Sequence, residues 1–208
     1  MARDLNINIP IIKSGIFSSE AANFIKNTVD KEKVELISLG ATTNTMKALA
    51  LGMDPNKLNS FIQMGGITSP LEFKGQIMDE LNLFIDFLAS NYVLEKINKP
   101  IIITGNNCID RKYKVKDSKY KSKYMNYLDK HIKRWDREFE LIYKEKDLVI
   151  RDALTALYLT NPEFFIKEKR KVKLSENMMK RYLEEGDDKE LILPKLRDEI
   201  NAMDYIVR

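Results

Sequence analysis

Cysteine and histidine are almost missing from this sequence, with one of each, Cys108 and His131, in 208 residues. A lone cysteine cannot close an internal disulfide, which suits a reducing, cytoplasmic setting. The same scarcity excludes a Cys/His zinc cluster built within the chain. No apolar run approaches the roughly 18 residues that a spanning helix requires, and no basic stretch followed by an apolar segment opens the sequence. Neither a membrane span nor a secretory leader is expected. Internal repeats and low-complexity linkers are absent too, so no solenoid or tethered architecture is suggested.

What is present is apolar bulk and charge of both signs. Hydrophobic residues make up 44% of the chain, which is enough for a folded globular protein. The 35 basic and 31 acidic residues leave a net charge of +4, a mixed-sign surface and not a polycation. The charge is uneven only between residues 111 and 124. There Arg111, Lys112, Lys114, Lys116, Lys119, Lys121 and Lys123 face a single acid, Asp117, with Tyr113, Tyr120 and Tyr124 interleaved. Such a run is more commonly a solvated loop, yet it has the composition of a phosphate-contacting, base-stacking segment. Arg111, Lys112, Tyr113, Lys114 and Lys116 are therefore candidate contacts to RNA or a ribosome.

Periodicity divides one domain, 1–208, into four stretches. Residues 1–16 read as an N-terminal arm ending its extended part at Pro10, and residues 17–110 as an α/β core. Residues 111–124 form the basic loop, and 125–208 are expected to be mainly helical. Within the core, Ser18-Ser19-Glu20 opens a helix with Ala21, Phe24, Ile25 and Val29 on one face. Residues 34–39 (VELISL), 61–64 and 101–104 (IIIT) read as short buried strands, and helices are expected at 44–51 and 86–97. Strand–helix alternation at this spacing predicts a mostly parallel sheet covered by helices. Beyond the basic loop the pattern predicts helices at 121–143 and 148–159, a strand at 170–174, and an amphipathic segment at 192–206.

Three segments, in order, resemble the nucleoside hydrolase family. Leu36-Ile37-Ser38-Leu39-Gly40-Ala41-Thr42-Thr43-Asn44 is similar to its strand–turn–helix "LVALGPLTN", followed at a family-like interval by Gln63-Met64-Gly65-Gly66. Asp79-Glu80-Leu81-Asn82-Leu83-Phe84-Ile85-Asp86 resembles "AEFNIYVDPEAA". The stretch from Arg151 to Phe165 (RDALTALYLTNPEFF) resembles "HDPLAVAYLLNPELF". The resemblance covers residues 17–172 and the later part of a family member. It implies a Rossmann-like, truncated nucleoside-hydrolase α/β fold with a helical C-terminal part. The implied activity is hydrolysis of the N-glycosidic bond of ribonucleosides, with calcium holding the ribose hydroxyls and the attacking water.

Carried over residue by residue, the resemblance makes Asp152 a calcium-ligating carboxylate and the Leu39 carbonyl a second ligand. Met64, Glu80, Asn82 and Asp152 become sugar-pocket residues. The family's opening D-x-D-x-x-x-D-D segment, which supplies most calcium ligands and the catalytic base, has no counterpart here, since Asp4 and Asp30 are isolated. Arg151 stands where the family often has a leaving-group histidine, and Lys74 where it has a ribose-binding asparagine. His131 matches no catalytic position. Calcium binding by this chain alone is therefore not expected, and the chain reads as a degenerate family member that keeps part of a ribose or nucleoside pocket. The alternatives are a hydrolase completed by a partner chain, and an RNA-associated protein using the basic loop. Loss of early strands would leave a sheet edge to be covered by self-association or by a partner.

Overall fold

The computed structural model describes residues 19–73, 75–109, 112–113, 123–144, 146, 148–175, 182–187 and 189–206. Its centre is a six-stranded sheet. Strands β1 (Val34–Ser38), β2 (Leu58–Met64), β5 (Ile101–Ile103) and β10 (Lys189–Leu196) run parallel. β8 (Phe165–Leu174) and β9 (Leu183–Glu185) continue the sheet antiparallel, giving the order β1-β2-β5-β10-β8-β9. Two small hairpins lie outside it, β3 (Leu71–Phe73) with β4 (Gln76–Met78) and β6 (Lys112–Tyr113) with β7 (Leu148–Val149).

Helices cover both faces, which is why the central strand can be three isoleucines in a row. Ile101, Ile102 and Ile103 are all buried, and a strand with polar alternation could not sit there. On one face Phe61 packs with α1 (Glu20–Lys31), α2 (Thr43–Ala50) and α3 (Phe87–Lys96) through Ala22, Val29, Ala48 and Val93. On the other, Ile62, Met64, Ile101 and Ile103 meet Leu154, Leu157 and Tyr158 of α6 (Asp152–Thr160). A third cluster joins Ile102, Leu191, Leu193 and Val172 to Leu83, Phe84 and Leu94. Asp86 caps α3, its carboxylate accepting the Ala89 N–H at 3.1 Å and the Thr43 hydroxyl at 2.5 Å, so the starts of α2 and α3 are tied together. The long α5 (Lys123–Tyr143) precedes β7, and the short α4 (Gly105–Cys108) and α7 (Met203–Ile206) complete the described elements.

The parallel α/β core matches the sequence reading, and the differences fall at three places. The amphipathic segment expected at 192–206 is strand β10 as far as Leu196, with helix only at Met203–Ile206. Slotted between β5 and β8, its apolar residues are buried on both faces, a pattern that periodicity alone does not separate from a helix. Together with β7, β8 and β9 it puts four strands into the stretch 125–208, which still holds more helix than strand. The helix expected from residue 148 starts at Asp152, because Leu148–Val149 is spent on pairing with β6. On α1 the buried positions are Ala22 and Val29, with Ile25 packed beside them, while Phe24 is 63% exposed. Residues 22, 25 and 29 follow the helical repeat towards α2, and Phe24 lies off that line.

The arm expected at 1–16 and the candidate RNA contacts Arg111, Lys114 and Lys116 lie outside the described residues. Lys112 and Tyr113 are described through their backbone in β6. Among the described residues no helix is long and apolar enough to cross a membrane. Leu191, 1% exposed in β10, tests the position of that strand. Leu191→Ala is expected to lower unfolding free energy by about 2–5 kcal/mol in a urea titration, whereas a surface helix there would lose well under half of that.

Candidate functional site

The parallel strands β1, β2 and β5 all end on the same side of the sheet, and a cavity of about 490 Å³ opens beside those ends. Leu39, Met64 and Gly66 line it from the first two strands and Gly105 from the third. The crevice beyond the carboxyl ends of parallel strands is where open α/β sheets bind ligands. The opposite wall is the start of α6, with Arg151, Asp152 and Ala153, and the mouth carries Trp135 of α5.

Glu80 is 7% exposed, yet it is not an unpaired buried charge. Its Oε1 accepts the Gly66 N–H at 3.0 Å and the Asn82 N–H at 2.9 Å. Its Oε2 accepts those of Leu83 at 3.1 Å and Phe84 at 3.2 Å. Burial pushes the carboxyl above its ordinary range, and these N–H groups pull in the other direction. The approach is close because the two residues after β2 are glycines. A Cβ on Gly65 would come within 3.1 Å of Asn82 Cβ, and Gly66, at φ +73°, would press a Cβ to 2.8 Å from Leu183. Glu80 thus works inward, fastening the Gly65–Gly66 loop to the turn that leads into α3.

Asn82 is held in that turn and works across the strand ends. Its Nδ2 donates to the Met64 carbonyl at 3.0 Å and lies 3.4 Å from the Leu39 carbonyl, with Met64 Sδ at 3.2 Å. Gln63, fully buried on the opposite face of β2, donates through Nε2 to the Met64 and Gly40 carbonyls at 2.6 and 3.0 Å. Two side-chain amides therefore fix the last carbonyl of β2 and the carbonyls just beyond β1.

Arg151 and Asp152 enter from the far wall. Partial burial pushes the Asp152 carboxyl up, and the adjacent Arg151 guanidinium pulls it back. Arg151 Nη2 lies against the sulfur of Met78. Nearby Cys108 is fully buried and its thiol is pushed up to about 12 by burial. It stays a neutral thiol at physiological pH and offers no nucleophile.

Leu39, Met64, Glu80, Asn82 and Asp152, the five residues singled out in the sequence, thus line one cavity, the first four on the strand side and Asp152 across from them. Trp135 was missed. Its helix is apolar on more than one stripe, with Phe139 turned to the core while Trp135 and Ile142 are 59% and 60% exposed. That second stripe is the signal that could have found it. The donors present do not make a calcium shell. Calcium takes about six to eight oxygens, whereas the described residues contain no group of three or more His, Cys, Asp or Glu placed to hold a metal. Both oxygens of Glu80 are engaged by backbone N–H groups, and the Leu39 carbonyl faces an amide donor.

Solved nucleoside hydrolases share this architecture. An inosine-uridine preferring nucleoside hydrolase from Bacillus anthracis superposes with a TM-score of 0.71 at 18% identity, covering 100% of this chain and 68% of that one. A plant nucleoside hydrolase gives 0.79 at 14% identity, covering 96% and 69%. The purine-preferring ribonucleoside hydrolase from Gardnerella vaginalis gives 0.75 at 14% identity, covering 97% and 68%. The chain thus spans about two-thirds of each of these proteins. No curated protein matches it. Residues 12–190 match the family model for inosine-uridine preferring nucleoside hydrolases, and the chain belongs to that family.

The Glu80 arrangement is open to a direct check. Glu80→Ala leaves its backbone N–H partners without an acceptor and is expected to cost at least about 2 kcal/mol of stability in denaturant titrations. Because burial raises the Glu80 pKa, its contribution is full below the ordinary glutamate range and is lost as pH rises through the raised value. Glu80→Gln should remove that component from the stability–pH curve.

Proposed function

We propose that this chain is a nucleoside-hydrolase homologue that retains one wall of a ribose or nucleoside pocket and does not hydrolyse nucleosides by itself. The observation that carries this reading is the convergence of Asn82, Met64, Leu39 and Asp152 on one cavity, whose lining carries the carboxylates of Asp79, Glu80 and Asp152 among the described residues. Hydrolysis of an N-glycosidic bond proceeds through a ribosyl cation and needs an activated water. Asp152 and Asp79 are the cavity acids left for both tasks among the described residues, since Glu80 is occupied with the loop backbone. Binding asks for less. The asparagine amide, the strand-end carbonyls and a carboxylate suit the hydroxyls of a sugar.

A partner-completed hydrolase is the second reading, and one feature favours it. Among the described residues β1 pairs only with β2, so its outer edge lies open next to the Leu39 carbonyl at the cavity. A strand added there, from a second copy or another chain, would bring its own last residues to the empty side of the site.

Base release from inosine and uridine, with calcium and with the protein alone, should stay at the uncatalysed rate in a chromatographic assay. Calorimetry should still register ribose or inosine, and Asn82→Ala should weaken that binding by about tenfold, as loss of one or two hydrogen bonds implies. Turnover by the purified chain would overturn the first reading.

A further inference from the structure

The far end of the sheet from β1 is only partly paired. β8 runs for ten residues, and β10 pairs with it from Phe165 to Val172 on one side. On the other side β9 pairs only with Val172, Lys173 and Leu174. The edge from Phe165 to Arg170 therefore has no strand beside it among the described residues. Its main-chain groups have a fixed direction, because successive residues of an antiparallel strand bond alternately to one neighbour and the other. The Phe164 carbonyl takes the Arg197 N–H at 3.0 Å, on the β10 side, and the Lys171 carbonyl takes the Gly186 N–H at 3.1 Å, on the β9 side. Lys167 and Lys169 share the parity of Lys171, so their N–H and C=O groups point outward from the open edge.

Side chains alternate as well. Phe165 turns to α6, its ring edge-on to Tyr158 at 5.1 Å. Lys167, Lys169 and Lys171 follow on that face, all exposed. Lys167 Nζ lies 5.8 Å from the centre of the Tyr158 ring, and Lys169 stands 3.7 Å from Glu190 of β10. The opposite face carries Ile166, 49% exposed, and then the Glu168–Arg170 ion pair. The edge thus offers ladder groups, a row of positive charge at intervals of about 7 Å, and one apolar contact near its start.

These features choose among occupants. A second copy of β8 laid on this edge would set lysine against lysine, and like charges directly opposed destabilise a strand pair. A nucleic acid strand would answer the charge and leave the ladder groups unused. An extended peptide with acids at alternate positions answers all three. We propose that the outer edge of β8 is a docking site for an acidic, extended segment of a partner protein, which adds itself to the sheet beside Phe165–Arg170. Its acids pair with Lys167, Lys169 and Lys171, and its other face covers Ile166.

A fluorescein-labelled hexapeptide of alternating glutamate and valine serves as the probe, read by fluorescence anisotropy at low salt. It should bind saturably and more weakly as salt is raised, while a lysine–valine hexapeptide should not bind. Lys169→Ala should weaken binding about two- to fivefold, as for one exposed ion pair. Lys169→Pro also removes an outward N–H that β10 does not use, and should cost about two- to tenfold more. Circular dichroism checks that both variants are folded. Two further peptides, N-methylated at every glutamate or at every valine, leave the protein untouched. One should bind like the parent and the other should not, because only one set of N–H groups faces β8. No binding by the glutamate–valine peptide, or equal affinity of the two N-methylated versions, overturns the proposal. Folded Lys169→Pro binding the peptide as well as Lys169→Ala does also overturns it, and a uridine dodecamer that then displaces the peptide makes the lysines a polyanion surface.

Discussion

The hydrogen bonding of the buried Glu80 carboxylate is the interaction on which the ligand-facing end of this molecule depends. It accepts N–H groups from the loop after β2 and from the turn before α3. The turn carries Asn82, which reaches back to the strand-end carbonyls, and it feeds α3, whose cap Asp86 also takes the Thr43 hydroxyl at the start of α2. Removing the acid would therefore loosen loops, amide and helix starts together. Buried carboxylates are tolerated when hydrogen bonds replace their hydration, and here the replacement comes almost wholly from backbone.

The cavity is uneven as a result. On the strand side Gln63 and Asn82 hold carbonyls through their amide nitrogens and Glu80 holds N–H groups. On the α6 side Asp152 is solvent-facing beside the Arg151 guanidinium, which lies against the Met78 sulfur. A rigid wall that presents amide and carbonyl oxygen is suited to orienting hydroxyls, while the looser wall supplies the charge.

Much of this was legible in the sequence, and for identifiable reasons. The strands ending in Leu39 and Met64 stand out because short branched runs end at glycine, and the local motifs around Glu80, Asn82 and Asp152 hold their neighbours at fixed spacing. That Glu80 spends its oxygens on the backbone was not legible, since the Gly66 and Phe84 N–H groups that take them are set by how two loops fold together. Trp135 was hidden for a related reason. Its helix is followed by the return of the chain along β7, a pairing of two residues that no periodicity announces. β10 was misread because a strand buried on both faces carries no alternation to tell it from a buried helix.

The position of β10 has a consequence for how the chain acquires its structure. Its neighbours, β5 and β8, are both made earlier, and neither can complete its hydrogen bonding on the facing side until residues 189–196 arrive. The two halves of the sheet are joined by a strand that follows both of them in chain order, so a growing chain carries two unzipped inner edges until residues 189–196 have been made. Pairing of this non-local kind is slow and exposes strand edges meanwhile. Crowded expression should hurt this protein through aggregation of newborn chains more than through instability of finished ones.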